Sequence, residues 1–234
     1  MLLYIIRHGD PDYSTDSLTK KGKLQAEAVG KRLAAAGINK VFSSSMGRAM
    51  QTAEPTCRLL GLSCTPQDWA REIQGEMFTY YPNGKRKSLG LVPPACFWDE
   101  DSEKLSRQTA LQSPPFRDTQ MDQVLPRIEA AANAFLLSLG YQREGAVYRI
   151  LRPNDEKVAL FCHAGFARAL CCVLLKVPAH TMWASFSYGH TGVTVLEFRN
   201  SKTGITAPRC LCYSDMSHLY AAGLEMMYNN MTGI

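Results

Sequence analysis

The chain has 234 residues, 46% of them hydrophobic and 20% charged, with 26 basic against 21 acidic side chains and a net charge of +5. That length suits one α/β domain with an insertion, and a mild, scattered positive excess argues against a nucleic-acid surface. No window approaches the ~20 apolar residues of a membrane helix, and the N-terminus lacks a basic leader and a small-residue cleavage site, so a soluble cytoplasmic protein is expected.

The apolar run Leu2-Leu3-Tyr4-Ile5-Ile6 reads as a buried strand, stopped by a turn at Gly9 and Pro11. Leu18-Thr19 opens a helix, with Thr19 as N-cap and Ala26, Val29, Leu33 and Ala36 on one face. Gly37 ends it. Val41 to Ser44 reads as a second strand, Met46 to Leu60 as a second helix stopped by Gly61, and Leu62 to Pro66 as a third strand. This alternation predicts a three-layer α/β/α sandwich around a mostly parallel sheet, in a single domain spanning 1–234.

The rhythm breaks from about residue 68 to 120. Pro82, Pro93, Pro94, Pro114 and Pro115 alternate there with Tyr80, Tyr81, Phe97 and Trp98. The stretch is too long for a simple connection and reads as a cap over the sheet edge, helical around Asp99 to Leu111. The aromatics either wall a substrate site or bury the cap. The basic cluster Asn83 to Lys87 reads as a solvated loop or a contact for an anionic substrate.

Regular structure resumes with Leu125, Ile128, Ala132, Phe135 and Leu139 on a helical stripe ending at Gly140, Pro126 lying in the first turn. Ala146 to Leu151 and Lys157 to Cys162 read as a hairpin around Arg152-Pro153-Asn154-Asp155-Glu156. Phe166 to Leu175 is a helix, Val193 to Phe198 a strand, and Ile205 to Tyr213 a weaker one placed at the edge by Pro208. The eight cysteines lie mostly in apolar runs without C-x-x-C spacing, so reduced core residues are expected rather than disulfides or zinc ligands.

Chemistry concentrates where strands end. Arg7-His8-Gly9 closes the first, Arg48 follows the second, and His163-Ala164-Gly165 closes Lys157 to Cys162. In open α/β sheets the carboxyl ends of the strands hold the ligand site. A phosphoryl group needs positioned cations and N–H donors, which Arg7, Arg48 and a helix N-terminus supply. His8 is the nucleophile of this arrangement, since nearby guanidinium charges disfavour imidazolium, and His163 donates to phosphoryl oxygens. A leaving alkoxide needs a proton, for which Glu72 is favoured over Glu76. Asp12 and Tyr13 are candidates for the entrance, and His190 and His218 for approach to the pocket. His180 reads as structural.

With those residues assembled, the chain resembles the histidine phosphatase superfamily, the phosphoglycerate-mutase-like proteins. The resemblance rests on Arg7-His8-Gly9, Leu18-Thr19 with Gly22 and Gln25-Ala26, Ser44 to Glu54, His163-Ala164-Gly165 and Gly192 to Leu196. It implies His8 as the phosphorylated nucleophile, a phosphate pocket completed by Arg7, Arg48 and His163, and Glu72 as proton donor. Members commonly place glycine four residues after the donor. Here Gly75 is three after Glu72, which keeps Glu76 as a rival. The mutase branch continues its first motif with Glu and Ser-x-Trp-Asn, where this chain has Asp10-Pro11-Asp12-Tyr13, and no paired arginines occur in the cap. Both departures favour hydrolysis of a small phosphomonoester, without cofactor or metal. A phosphoglycerate mutase, or a phosphate-binding regulatory protein with little turnover, are the alternatives.

Overall fold

Leu2–Arg7 and Lys157–Cys162 are apolar almost throughout, as suits strands covered on both faces, and they pair in parallel at the centre of a six-stranded sheet. The computed structural model describes residues 1–73, 75–80, 85–98 and 104–228. The sheet strands are β1 (Leu2–Arg7), β2 (Lys40–Ser44), β3 (Cys64–Gln67), β4 (Lys157–Cys162), β5 (Val193–Glu197) and β6 (Arg209–Asp215). Their spatial order is β6-β5-β1-β4-β2-β3. β1, β4, β2 and β3 run parallel, while β5 and β6 are antiparallel additions on the other side.

Side chains alternate across the sheet. Leu3, Ile5, Val158, Leu160 and Cys162 face one apolar core; Ile6, Ala159 and Phe161 face the other. Helices α1 (Lys20–Ala36) and α2 (Gly47–Leu60) cover the second face, and α3 (Met121–Ser138) and α4 (Ala164–Leu175) the first. This is the expected three-layer sandwich. Thr19 caps α1 by accepting from Gly22 N at 3.0 Å, and Gly37 ends it in the left-handed region at φ +72°. Two short helices, α5 (Ala179–Ser185) and α6 (Ser217–Ala221), were not foreseen.

The structure corrects three local expectations among the regular elements. Lys157–Cys162 is not one arm of a hairpin. Residues 158–162 are all buried, and only the interior of the sheet covers both faces. The hairpin is instead Tyr141–Glu144 with Val147–Ile150, turning at Gly145, whose φ is +55°. Pro208 splits the expected edge strand: Ile205–Thr206 joins Val147–Ile150, and Arg209–Asp215 becomes the sheet edge. α3 starts at the fully buried Met121, so Pro126 lies in its second turn rather than its first.

The cap shows no α-helix among its described residues. Of the stretch expected to be helical, residues 99–103 lie outside the described residues, and the described remainder includes a 3-10 turn at Ala110–Gln112. The rest of the cap comprises a two-stranded ribbon, Phe78–Tyr80 with Arg86–Ser88, and short turns at Leu89–Leu91, Pro94–Phe97 and Pro114–Phe116. Phe97 and Phe116 seat it on the main core, Phe116 meeting Trp183 of α5 edge-on at 5.7 Å. No helix among the described residues is long and apolar enough to cross a membrane.

Ile5 is fully buried in the central strand, whereas Leu24 on α1 is 57% exposed. Ile5→Ala is expected to lower stability by about 2–5 kcal/mol, and Leu24→Ala by less than about 0.5 kcal/mol. Urea unfolding of the two variants beside the parent checks this.

Candidate active site

Parallel strands in one sheet end on the same side. β1 therefore delivers Arg7 and His8, β4 delivers His163, and the turn from β2 into α2 delivers Arg48 to one edge. The ladder runs one residue past β1, with His8 N donating to Cys162 O at 2.9 Å. The rings of His8 and His163 stand 5.1 Å apart between centroids. All four side chains are buried.

A carbonyl contact assigns the proton of His8. Nδ1 of His8 lies 2.7 Å from Gly9 O. A carbonyl only accepts, so Nδ1 carries the hydrogen and Nε2 keeps its lone pair. Nε2 of His163 lies 2.8 Å from Ser44 Oγ, which also accepts from Met46 N at 3.3 Å. A serine hydroxyl can donate to Nε2 or accept from it, and Nδ1 of His163 is a buried atom with no partner among the described residues. Both histidines are held well below the usual imidazole pKa. Burial is the main cause for each, followed by Arg7 for His8 and by Arg48 and Arg7 for His163. Both rings are therefore neutral at neutral pH. Burial also pushes Arg7 down to about 10, which leaves it charged.

The two glutamates part company. Glu72 Oε1 accepts from Phe166 N at 2.9 Å and Oε2 from Gly165 N at 3.3 Å, two N–H groups in the first turn of α4. A helix N-terminus favours such a carboxylate. Gly165 permits the approach: a Cβ there would lie 2.8 Å from Glu72 Oε1 and 2.7 Å from Met77 Sδ. Glu76 instead forms a two-pronged ion pair with Arg127, at 2.5 and 2.8 Å, outside the pocket. The pocket at this edge has a volume of about 410 Å³ and is lined by Arg7, Arg48 and Glu72. Met77, Phe78, Ser88, Gly90 and Leu91 line it from the cap.

The sequence profile of the histidine phosphatase superfamily (branch 1) matches residues 3–84 and 100–210, most of the chain. The chain belongs to that superfamily. It is similar to a probable phosphoglycerate mutase, GpmB, of Salmonella arizonae, at 32% identity over 126 residues. That match spans 44% of this chain and only 59% of the relative's length. Among solved structures, a phosphoserine phosphatase from Entamoeba histolytica bound to 3-phosphoglyceric acid superimposes with a TM-score of 0.62 at 17% identity. It covers 93% of this chain and 98% of its own. A mycobacterial glucosyl-3-phosphoglycerate phosphatase bound to inorganic phosphate gives 0.61 at 23% identity, with the same coverage. Those two likenesses are to the fold.

Further residues take their places around this candidate site. Asp16, at φ +48°, reaches α2, pairing with Arg48 and accepting from Gly47 N at 2.7 Å. The first N–H of that helix is thus met by a side chain. Tyr13 lines the entrance with its ring 5.4 Å from the Arg48 guanidinium. Asp12 instead accepts from Ser14 and does not line the pocket. His190 stands 5.7 Å from His8, with Nδ1 3.6 Å from Asp10 Oδ1. His218 sits one step back, Nε2 3.0 Å from Thr191 Oγ1.

Arg168 of α4 lines the pocket too and was missed. Its signal was a lone charge in the apolar run Ala164–Leu175. Ser44 was read only as part of the run Ser44 to Glu54, and its place at the end of a strand is the signal for its contact with His163. Of the cap aromatics, Trp98 packs on His180 and Phe97 fills the core; Tyr81 lies outside the described residues. In the basic cluster, residues 83–84 also lie outside them, and Arg86 stacks on Phe78 at 4.7 Å. Cys162 faces the core, where burial pushes its thiol up.

Burial also pushes His190 down to about 2 and His218 down to about 4. Below an unfolded imidazole pKa of about 6.5, the unfolded chain binds protons that the folded chain does not. Stability therefore rises with pH through this window. It is expected to fall as pH drops from 6.5 towards 4, with a shallower slope for His218→Asn, measured by thermal unfolding across pH. The His8 and His163 ring signals are expected not to titrate between pH 5.5 and 8 in NMR spectra of the folded protein.

Proposed function

We propose that this chain is a phosphatase that hydrolyses a small phosphomonoester through a phosphohistidine on His8. The observation that carries the reading is the state of His8: a buried, neutral imidazole whose Nδ1–H is tied to Gly9 O, leaving the Nε2 lone pair free beside Arg7 and His163. Nε2 attacks phosphorus, the P–N bond forms and the P–O bond to the alcohol breaks. Arg7, Arg48 and His163 meet the charge on the phosphoryl oxygens. The protonated form of Glu72 gives its proton to the departing oxygen and is left as the carboxylate that the N–H groups of α4 hold. Water then attacks phosphorus, Glu72 takes a proton from it, and the P–N bond breaks to release phosphate.

Glu72 is preferred as donor because it lines the pocket, whereas Glu76 is engaged with Arg127. Arginines supply the positive charge, so no metal is needed in this scheme. Hydrolysis is favoured over mutase action because the described cap residues that line the pocket carry no charge, which leaves Arg168 of α4 as the one cation outside the phosphoryl end among the described lining residues, fewer charges than retaining phosphoglycerate between two transfers calls for. The Salmonella relative keeps mutase action as the alternative reading. A cytoplasmic setting belongs to the proposal as well, supported by eight cysteines used as free thiols, three of them buried in the core.

Phosphate release from aryl phosphates, sugar phosphates and 3-phosphoglycerate, in the presence of a chelator, tests the reading. Wild type is expected to release phosphate, and His8→Ala to lose activity by at least on the order of 10³-fold. Glu72→Gln is expected to lose about 10²–10⁴-fold on alkyl phosphates and much less on p-nitrophenyl phosphate, whose leaving group needs no proton. Appearance of 2-phosphoglycerate without phosphate would identify a mutase instead. Phosphate binding without turnover on any substrate would identify a binding protein.

A further inference from the structure

Arg168 has no task in the chemistry above, yet it faces the same pocket. It is the charged residue of an otherwise apolar α4, Ala-Gly-Phe-Ala-Arg-Ala-Leu-Cys-Cys-Val-Leu-Leu. Its Nε donates to Phe186 O at 3.0 Å, which fixes the plane of the guanidinium. Among the described residues neither terminal nitrogen makes a hydrogen bond or an ion pair. Nη1 points at the cap turn: a Cβ added to Gly90 would lie 3.6 Å from it and 3.8 Å from Ser88 Oγ. The glycine leaves the fork open to the pocket. Arg168 also stands close enough to Arg7 to disfavour its charge, an effect that Glu72 offsets in part.

We propose that Arg168 is a specificity-determining residue that binds a carboxylate on the alcohol portion of the substrate. The preferred substrates are then phosphomonoesters of hydroxy acids. This rests on the phosphomonoester reading of the site. The chemistry argues for a carboxylate over a second phosphoryl group. One guanidinium with a fixed plane offers two parallel N–H bonds, matching a planar carboxylate. The phosphoryl end, in contrast, gathers Arg7, Arg48 and His163. Ser88 and Ser187, which also line the pocket, offer hydroxyls to the same portion of the substrate.

The test separates binding from turnover by using two phosphonates, which cannot be hydrolysed. 3-Phosphonopropionate and propylphosphonate match in length and differ by a carboxylate in place of a methyl group. Calorimetry on wild type is expected to show tighter binding of the carboxylate compound by about tenfold to a hundredfold. Arg168→Gln is expected to level the two affinities, and Arg168→Lys to keep part of the preference, since it retains charge but loses the fork. Gly90→Asp, which leaves α4 untouched, is expected to abolish the preference by setting a carboxylate of the protein against Nη1. In phosphate release, Arg168→Gln is expected to raise KM for 3-phosphoglycerate more than it lowers kcat. Equal affinities in wild type, failure of both compounds to bind, or a preference that survives Arg168→Gln would each overturn the proposal. An Arg168-dependent preference without hydrolysis of any phosphomonoester would uphold the carboxylate site and overturn the phosphatase reading instead.

Discussion

Parallel pairing of β1 with β4 is the constraint on which the rest of this molecule depends. Leu2 opposes Lys157, and the register runs without a break to Arg7 opposite Cys162. Period two then sends Leu3, Ile5, Val158 and Leu160 to one core and Ile6, Ala159 and Phe161 to the other. A slip of one residue would invert every assignment on the strand that slipped. The same register carries His8 and His163 off the ends of adjacent strands, so the packing that stabilises the sheet also sets the distance between the two imidazoles.

Burial gives the site its charge state. Desolvation disfavours a proton on His8, His163 and His190, and the guanidinium of Arg7 acts in the same direction on all three. Arginine keeps its charge under the same burial because its intrinsic pKa is so high. The outcome is a pocket of fixed cations and neutral bases, suited to an anionic electrophile. Two carboxylates temper that field, Asp16 at Arg48 and Glu72 at the start of α4. Each comes from a loop and meets a helix N-terminus, where backbone N–H groups have no partner within the helix.

Among the described residues the cap reaches the pocket through a ribbon and short turns, not through an α-helix of its own. Its apolar residues join the core shared with α3, α4 and α5, so its shape follows the surface it covers. That explains why residues 104–111 do not form the helix expected of them. Without a periodic apolar stripe, local propensity had nothing to pack against. The hairpin expected at residues 146–162 misled for a related reason. Arg152-Pro153-Asn154-Asp155-Glu156 is a strong turn signal, but a turn does not decide which strand lies next to which.

The sequence alone determined what is local or periodic. Thr19 and Gly37 mark the ends of α1 because a cap is chemistry within a few residues. The continuous apolar runs mark the central strands because burial on both faces leaves no polar alternation. Arg7, His8, Arg48 and His163 were legible because each lies beside a recognisable strand end, and the edge of a parallel sheet gathers strand ends. Tertiary structure alone decided what depends on distant neighbours. Glu72 and Glu76 differ little in sequence, yet one meets α4 and the other Arg127. Ser44, Asp16 and Arg168 act across separations of 119, 32 and 18 residues, on His163, Arg48 and Phe186 respectively. Contacts of that kind follow from strand order and cap docking, which no local pattern encodes.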